Sequence, residues 1–103
     1  WRKNSAGGKR YAIHNTHQSW RDKKKDLDKE ILRAAIIAES DAINLYEQTA
    51  NKTQNKKIRT LLSNVAREEK THMGEFQTLL LIEDQEQEKE MKEGKKEVEE
   101  LIK

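Results

Sequence analysis

The sequence contains no cysteine and no proline, and only four of its 103 residues are glycine. The absence of cysteine excludes disulfides, thiolate metal sites and cysteine nucleophiles. Aromatic residues are few (5%), whereas Glu, Lys, Leu, Ala and Gln are abundant. Because sheets favour aromatic and β-branched residues punctuated by turns, and long helices favour this composition, we predict an all-α protein.

Hydrophobic residues are also scarce, at 33% of the chain against 39% charged residues. One copy therefore has little material for a core of its own, and we expect copies to associate. No apolar run approaches the roughly 20 residues that cross a bilayer, and the N-terminus lacks the apolar stretch of a secretory signal. The expectation is a cytoplasmic protein with no membrane partner.

Charge is distributed unevenly along the chain. Residues 1–26 carry eight basic and two acidic residues, residues 27–82 carry eight of each, and residues 83–103 carry five basic and nine acidic residues. This pattern is typical of a structured centre with polar flanks rather than of a nucleic-acid-binding protein. We therefore expect no nucleic-acid partner.

Apolar residues recur every three or four positions in two segments, from about residue 27 to residue 50 and from residue 58 to residue 82. That spacing is typical of amphipathic helices. Residues 51–55 interrupt the pattern, and so short a connection forces two long helices to run antiparallel. Residues 27–82 are thus predicted to form a helical hairpin.

The two flanks carry weaker patterns. Residues 1–26 show no lasting periodicity and are interpreted as an irregular or flexible basic arm. In the acidic segment 83–103, the polar stretch 83–90 precedes apolar residues at helical spacing, among them Met91 and Val98. A short third helix is predicted there.

Three polar residues lie on the apolar stripes: Glu39 on the first predicted helix, and Glu69 and His72 on the second. Counted from the middle of the connection they are about 14, 16 and 19 residues away, which places them within roughly one helical turn of each other. Glu69 and His72 form Glu-x-x-His, and residues three apart point to one side of a helix. Buried charges need partners, so these three side chains are predicted to meet.

Such a cluster could bind a metal ion, or it could be a polar cluster that only sets the register of helix pairing. Oxygen and nitrogen ligands without thiolate suit iron or manganese, and zinc, copper or calcium could substitute. A di-iron carboxylate bundle takes one Glu from each of two helices and Glu-x-x-His from each of two others. This chain encodes half of that set. We therefore expect a symmetric homodimer of hairpins, a four-helix bundle with a di-iron site at its interface.

Tyr46 lies two turns from Glu39 on the same face of the first predicted helix. It could donate a hydrogen bond to a carboxylate of the site, or it could be an ordinary amphipathic core tyrosine. The sequence leaves both interpretations open.

Around these residues the chain resembles the encapsulated ferritins, the ferritin-like proteins housed inside encapsulin nanocompartments. The likeness is greatest to the archaeal type that precedes an encapsulin shell domain in one polypeptide. It covers about residues 21–101, above all the segments IIAESDAINLYEQ (36–48) and VAREEKTHMGEF (65–76). A Glu followed thirty residues later by Glu-x-x-His is the feature that carries it.

This resemblance implies ferroxidase activity, in which two ferrous ions bound between subunits are oxidised by oxygen. It places Glu39, Glu69 and His72 as metal ligands, with Tyr46 as a supporting tyrosine. It also implies a ring-like homo-oligomer of dimers, such as a decamer, and delivery of iron to an encapsulin shell that surrounds the ring in the cytoplasm.

Some members of that family take up metal through an outward-facing site with two carboxylates three residues apart and a nearby tryptophan. At those positions this chain has Ala38, Asp41 and Leu45, so it keeps one of the two carboxylates and lacks the tryptophan. Asp41 is the candidate for metal entry that the resemblance leaves, although the sequence departs from the pattern of that route. Two other functions remain open: a di-iron or dimanganese peroxide reductase in the manner of the rubrerythrins, and a non-catalytic helical assembly module.

Overall fold

The structure, a computed structural model, describes residues 20–103. It contains three α-helices, α1 (Trp20–Lys52), α2 (Lys56–Glu83) and α3 (Gln85–Ile102). The described residues form no strand, so the predicted all-α class with a helical hairpin and a C-terminal helix is confirmed. None of these three helices is both long enough and apolar enough to span a membrane.

α1 and α2 pack side by side as an antiparallel hairpin. Residues 53–55 connect them, and the last of these is the N-cap of α2. The Asn55 side chain accepts hydrogen bonds from the backbone N–H groups of Lys57 (2.9 Å) and Ile58 (3.2 Å). Asparagine is among the strongest N-capping residues, which explains why α2 begins directly after so short a connection.

The hairpin buries a narrow apolar seam between its two helices. Its buried hydrophobic residues are Leu32, Ile43 and Ala50 on α1 and Ala66 and Leu80 on α2. In contrast, twelve large hydrophobic residues of the described chain are exposed, at 39% to 83% of their surface. A single copy therefore leaves many of its large apolar side chains in contact with water.

α1 begins earlier than the sequence pattern indicates. It starts at Trp20, not near residue 27, so the prediction of an irregular arm over residues 1–26 is wrong for residues 20–26. Residues 20–26 are rich in Lys, Arg and Asp and carry no apolar stripe, yet lysine and arginine are good helix formers that continue a helix into solvent. Residues 1–19 of the predicted arm lie outside the described residues.

α3 lies within the acidic segment 83–103 in which a short helix is predicted. It starts at Gln85, directly after the one-residue connection Asp84, so the polar residues 85–90 form its first turns. The Asp84 side chain accepts a hydrogen bond from the backbone N–H of Gln87 at 2.9 Å, and Glu86 and Glu88 lie in the first turn. An N-cap followed by acidic residues stabilises the start of a helix, because the N-terminal end of the helix dipole is positive.

Candidate metal centre

The three predicted ligands meet at mid-height of the hairpin. Glu39 lies on α1, and Glu69 and His72 lie on α2. Glu39 is held inward because it shares a stripe with the buried Leu32 and Ile43, seven residues before it and four after it. The same periodicity places Glu69 on the inner side of α2. The side chains of both glutamates are largely covered, at 16% and 17% exposure.

His72 lies between the two carboxylates. Its Nδ1 atom is 2.9 Å from Glu39 Oε2 and 2.8 Å from Glu69 Oε1. One ligand atom from each of the three residues falls within 4.8 Å of the other two. A proton on Nδ1 would therefore face two anionic oxygens, in the position that a metal cation would take.

This donor set fits a divalent metal ion. With bonds of about 2.1 Å, as zinc makes to nitrogen and oxygen ligands, neighbouring ligand atoms at right angles are about 3.0 Å apart. The separations of 2.8 and 2.9 Å from Nδ1 to the two carboxylate oxygens therefore need to open only slightly. Two carboxylates and one imidazole, with no thiolate, match the preferences of iron and manganese.

Two opposing effects act on the pKa of His72. Desolvation is the largest single effect and lowers the pKa, but hydrogen bonds and charge attraction to Glu39 and Glu69 together outweigh it, so the pKa lies above its ordinary value of 6.5. The carboxylates thus favour a positive charge at this position. That preference is the one a cation-binding site requires.

The cluster is closed on the hairpin side and open on the other. The His72 side chain is 46% exposed, although it contacts both partly buried glutamates. Exposed apolar residues share its side of α2: Leu61 lies three turns before His72, and Leu79 lies two turns after it. The ligands therefore lie at the edge of an uncovered apolar surface.

The structure does not bring Tyr46 and Asp41 into the cluster. Tyr46 is half-buried, and its backbone carbonyl accepts a hydrogen bond from Thr49 Oγ1 at 3.3 Å. Asp41 is exposed, because a residue two positions from Glu39 points away from it on a helix. The supporting role of Tyr46 and the uptake role of Asp41 remain predictions.

Two ion pairs that the sequence does not predict connect distant parts of the chain. Lys70 Nζ is 2.8 Å from Glu47 Oε2, and Arg33 Nη2 is 2.7 Å from Asp84 Oδ2. Neither pair has a local sequence signal, because its partners are far apart in the chain. The capping role of Asp84 did have one, since an N-cap residue followed three positions later by Gln is a known helix-start pattern.

A helical hairpin that presents one Glu and one Glu-x-x-His at the same level defines a ferritin-like carboxylate protein. Comparison with known proteins agrees: the model of the rubrerythrin family matches residues 30–103. The crystal structure of an encapsulated ferritin domain from Pyrococcus furiosus matches with a TM-score of 0.75 and 45% identity, over 97% of this chain and 96% of that one. This chain belongs to the encapsulated ferritins, within the rubrerythrin family.

A longer relative is the ferritin-like–encapsulin shell fusion protein of Pyrococcus furiosus. It is 60% identical over 72 residues, which are 70% of this chain and 21% of that protein. The chain thus spans about a fifth of the length of this relative.

Proposed function

We propose that this chain is the subunit of a ferroxidase that oxidises Fe(II) to Fe(III) at a di-iron site formed between two copies. The observation that carries the proposal is the half-site: Glu39, Glu69 and His72 are grouped on one hairpin, and His72 is 46% exposed. A two-metal carboxylate bundle uses four glutamates and two histidines. A twofold pair of these hairpins supplies that set.

The surface around His72 supports pairing with a second copy. Leu61 (62% exposed), Leu79 (48%) and Ile82 (65%) lie at helical spacing on the same side of α2 as His72. Exposed apolar surface of this kind is typical of a face that another protein covers. A second hairpin on this face would bury the apolar residues and complete the ligand set in one step.

In this arrangement each residue has a distinct task. Glu39 and Glu69 would bind ferrous iron through their oxygens and, as anions, stabilise the more highly charged ferric product. His72 would bind through Nδ1 once its proton has left. The two ferrous ions give up one electron each, and one dioxygen molecule accepts both electrons and two protons to become hydrogen peroxide. Manganese, zinc or calcium would occupy the same donors as substitutes for iron.

Two further residues have proposed supporting tasks. Tyr46, two turns from Glu39 on α1, would hydrogen-bond a carboxylate of the completed site. Asp41, exposed on the outer side of α1, would be the point at which metal enters.

The proposal extends to the surroundings of the dimer. Because a relative is fused to an encapsulin shell, we propose that this chain works with an encapsulin shell inside a cytoplasmic nanocompartment. Dimers would assemble there into a ring-like homo-oligomer, such as a decamer, and pass ferric iron to the enclosed space for storage.

The direct test is aerobic oxidation of ferrous iron, followed by absorbance, for the wild type beside His72→Ala. Loss of even an indirect supporting residue of a metal site typically costs 10–100-fold, so loss of a ligand is expected to lower the rate by about 100-fold or more. Glu90→Gln is the control, since Glu90 is exposed, lies on α3 and is outside both the cluster and the face around His72. Equal background rates in the wild type and His72→Ala would refute the ferroxidase.

A second candidate function is peroxide reduction, which the match to the rubrerythrin family favours. The same ligands would serve, but peroxide would be the electron acceptor. The discriminating measurement gives the ferrous-loaded protein oxygen or peroxide at equal concentration. A clear preference for peroxide would replace the ferroxidase by a peroxide reductase.

Metal binding is expected to weaken as the pH falls through the raised pKa of His72. Below that pKa, Nδ1 carries a proton and cannot bind a metal, so each bound metal must displace one. Titration calorimetry at several pH values between about 5 and 8 should show tighter binding at the higher pH in the wild type. His72→Gln should bind weakly with a flatter dependence. The same steep pH dependence in this variant would assign the titration to another group.

The metal-free protein should show the opposite trend. A raised pKa means that protonated His72 contributes stability in full below about 6.5, and that this contribution is lost as the pH rises through the higher pKa of the folded state. Without metal, the midpoint temperature of thermal unfolding should therefore fall as the pH rises through that window. In His72→Gln this pH-dependent fall should be absent.

A further inference from the structure

α2 and α3 are joined by a single residue, Asp84, that belongs to the ends of both. Its backbone N–H donates to the Leu80 carbonyl at 2.8 Å, the last hydrogen bond of α2. Its own carbonyl accepts from the Glu88 N–H at 3.1 Å, the first hydrogen bond of α3. Only the two backbone dihedral angles of Asp84, at −133° and 90°, therefore separate the direction of one helix from that of the other.

The Asp84 side chain divides its two oxygens between two helices. Oδ1 accepts a hydrogen bond from the Gln87 N–H at 2.9 Å, which fixes the carboxylate to the first turn of α3. Oδ2 accepts from Arg33 Nη2 at 2.7 Å, which fixes the same carboxylate to α1. Asp84 is the buried polar residue among those described, at 7% exposure. One carboxylate thus links α3 to α1 across 51 residues of sequence.

Little else holds α3 in place. It contacts α2, but no Cα atom of α3 lies within 8 Å of one in α1 in the described chain. Its own apolar residues are exposed, including Met91 at 39%, Val98 at 54% and Leu101 at 83%. A helix with so little packing of its own depends on its attachment for its direction.

We infer that the Arg33–Asp84 ion pair is an elbow lock that fixes the direction of α3 relative to the hairpin. The carboxylate moves with α3 because of the cap, and the guanidinium moves with α1, so their contact restrains the two dihedral angles of the connection. Because Asp84 is nearly buried, its charge must keep a partner, and rotation of α3 away from Arg33 would leave it unpaired. This inference is independent of the proposed iron chemistry.

Two substitutions separate the ion pair from the cap. Asp84→Asn keeps a side-chain oxygen for the Gln87 N–H, and asparagine caps helices as well as aspartate does, but the charge is lost. Arg33→Met keeps a long side chain and the intact cap, but removes the donor. Arg33→Lys keeps a charge and should retain part of the restraint. Lys92→Gln is the control, since it removes an exposed ion pair within α3.

The direction of α3 can be measured as the distance between two spin labels by pulsed electron–electron double resonance. Because the chain has no cysteine of its own, a spin label that reacts with thiols attaches only where cysteine is introduced. Asn44→Cys places one label on α1 and Lys95→Cys places the other on α3. Both positions are exposed. Dilution with unlabelled protein removes distances between copies, and circular dichroism verifies that each variant keeps its helices.

We expect one narrow distance peak in the unsubstituted background and in Lys92→Gln, and loss of that narrow peak in both Asp84→Asn and Arg33→Met. Narrow, unshifted peaks in these two variants would show that the backbone alone sets the direction and would overturn the lock. A broad distribution before any substitution would also overturn it. So would broadening in Asp84→Asn alone, because that result would assign the restraint to the cap.

Discussion

Leu79→Glu is expected to abolish rapid iron oxidation, although Leu79 is not a candidate metal ligand. In a single hairpin this side chain is 48% exposed, so the substitution should leave the folded monomer intact. In the proposed dimer it would lie in the interface two turns from His72, where a new carboxylate has no partner. Loss of the pair would leave every copy with half a site.

The expected size of this effect follows from the cost of burying an unpaired charge, which is several kcal/mol. A loss of about 1.4 kcal/mol of binding free energy raises Kd tenfold. Because a twofold interface contains the substitution twice, the Kd of the dimer should rise by about 1,000-fold or more. Analytical ultracentrifugation would give the association state, and ferrous oxidation at the same protein concentrations would give the activity.

Ile37→Glu is the matched control for this experiment. Ile37 is 68% exposed and lies two residues from Glu39, so it points away from the ligand on the same helix. The Ile37→Glu substitution introduces the same charge on another face of the hairpin and should leave both dimer formation and iron oxidation unchanged. If Leu79→Glu remained dimeric and fully active, the two-copy site could not lie on this face of α2.

The hairpin and the candidate site were predictable because both depend on local spacing. The apolar period around Leu32 and Ile43 indicates which side of α1 is buried, and Glu39 falls on that side. The short connection then aligns Glu39 with Glu69 and His72 by counting residues. In a helical hairpin, the number of residues from the connection gives the position along the helix axis. The residue count alone therefore predicts that the three side chains lie at the same level.

The ends of the helices were less predictable, because there the pattern is polar. Residues 20–26 of α1 have no apolar stripe, so only helix propensity favours their structure, and propensity is a weak guide. In the polar run from residue 83 to residue 90 no apolar spacing marks where α3 begins, and only the helix-start pattern of Asp84 and Gln87 indicates it. The Arg33–Asp84 pair depends on how α1 and α2 pack, which no local pattern contains.

The roles of Tyr46 and Asp41 could not be predicted with the same certainty, for a different reason. Their proposed roles depend on what surrounds them in the assembled protein, and a single chain places neither beside the cluster. Exposed apolar residues are similarly ambiguous in sequence: the stripe that includes Leu61 and Leu79 has the periodicity of a core, but the hairpin leaves it uncovered. Periodicity predicts that a face will be buried, not whether its own chain or another copy buries it.

Leu80→Ala is expected to lower the free energy of unfolding by about 2–5 kcal/mol, the usual cost of truncating a buried leucine. Leu80 is 4% exposed and is one of only five buried hydrophobic residues in the described chain. Small domains are stable by roughly 5–15 kcal/mol in total, so this loss would be a large fraction of the stability of a hairpin with so small a core. Chemical denaturation at fixed protein concentration measures it, since pairing of copies makes stability depend on concentration.

Leu101→Ala is the matched control, because the same atoms are removed from a side chain that is 83% exposed. Surface substitutions usually change stability by less than about 0.5 kcal/mol, so the two variants should differ severalfold. Equal losses would mean that α3 buries Leu101 against another copy as completely as the hairpin buries Leu80. The difference between the two costs therefore measures how much of the core lies within one chain and how much forms only on assembly.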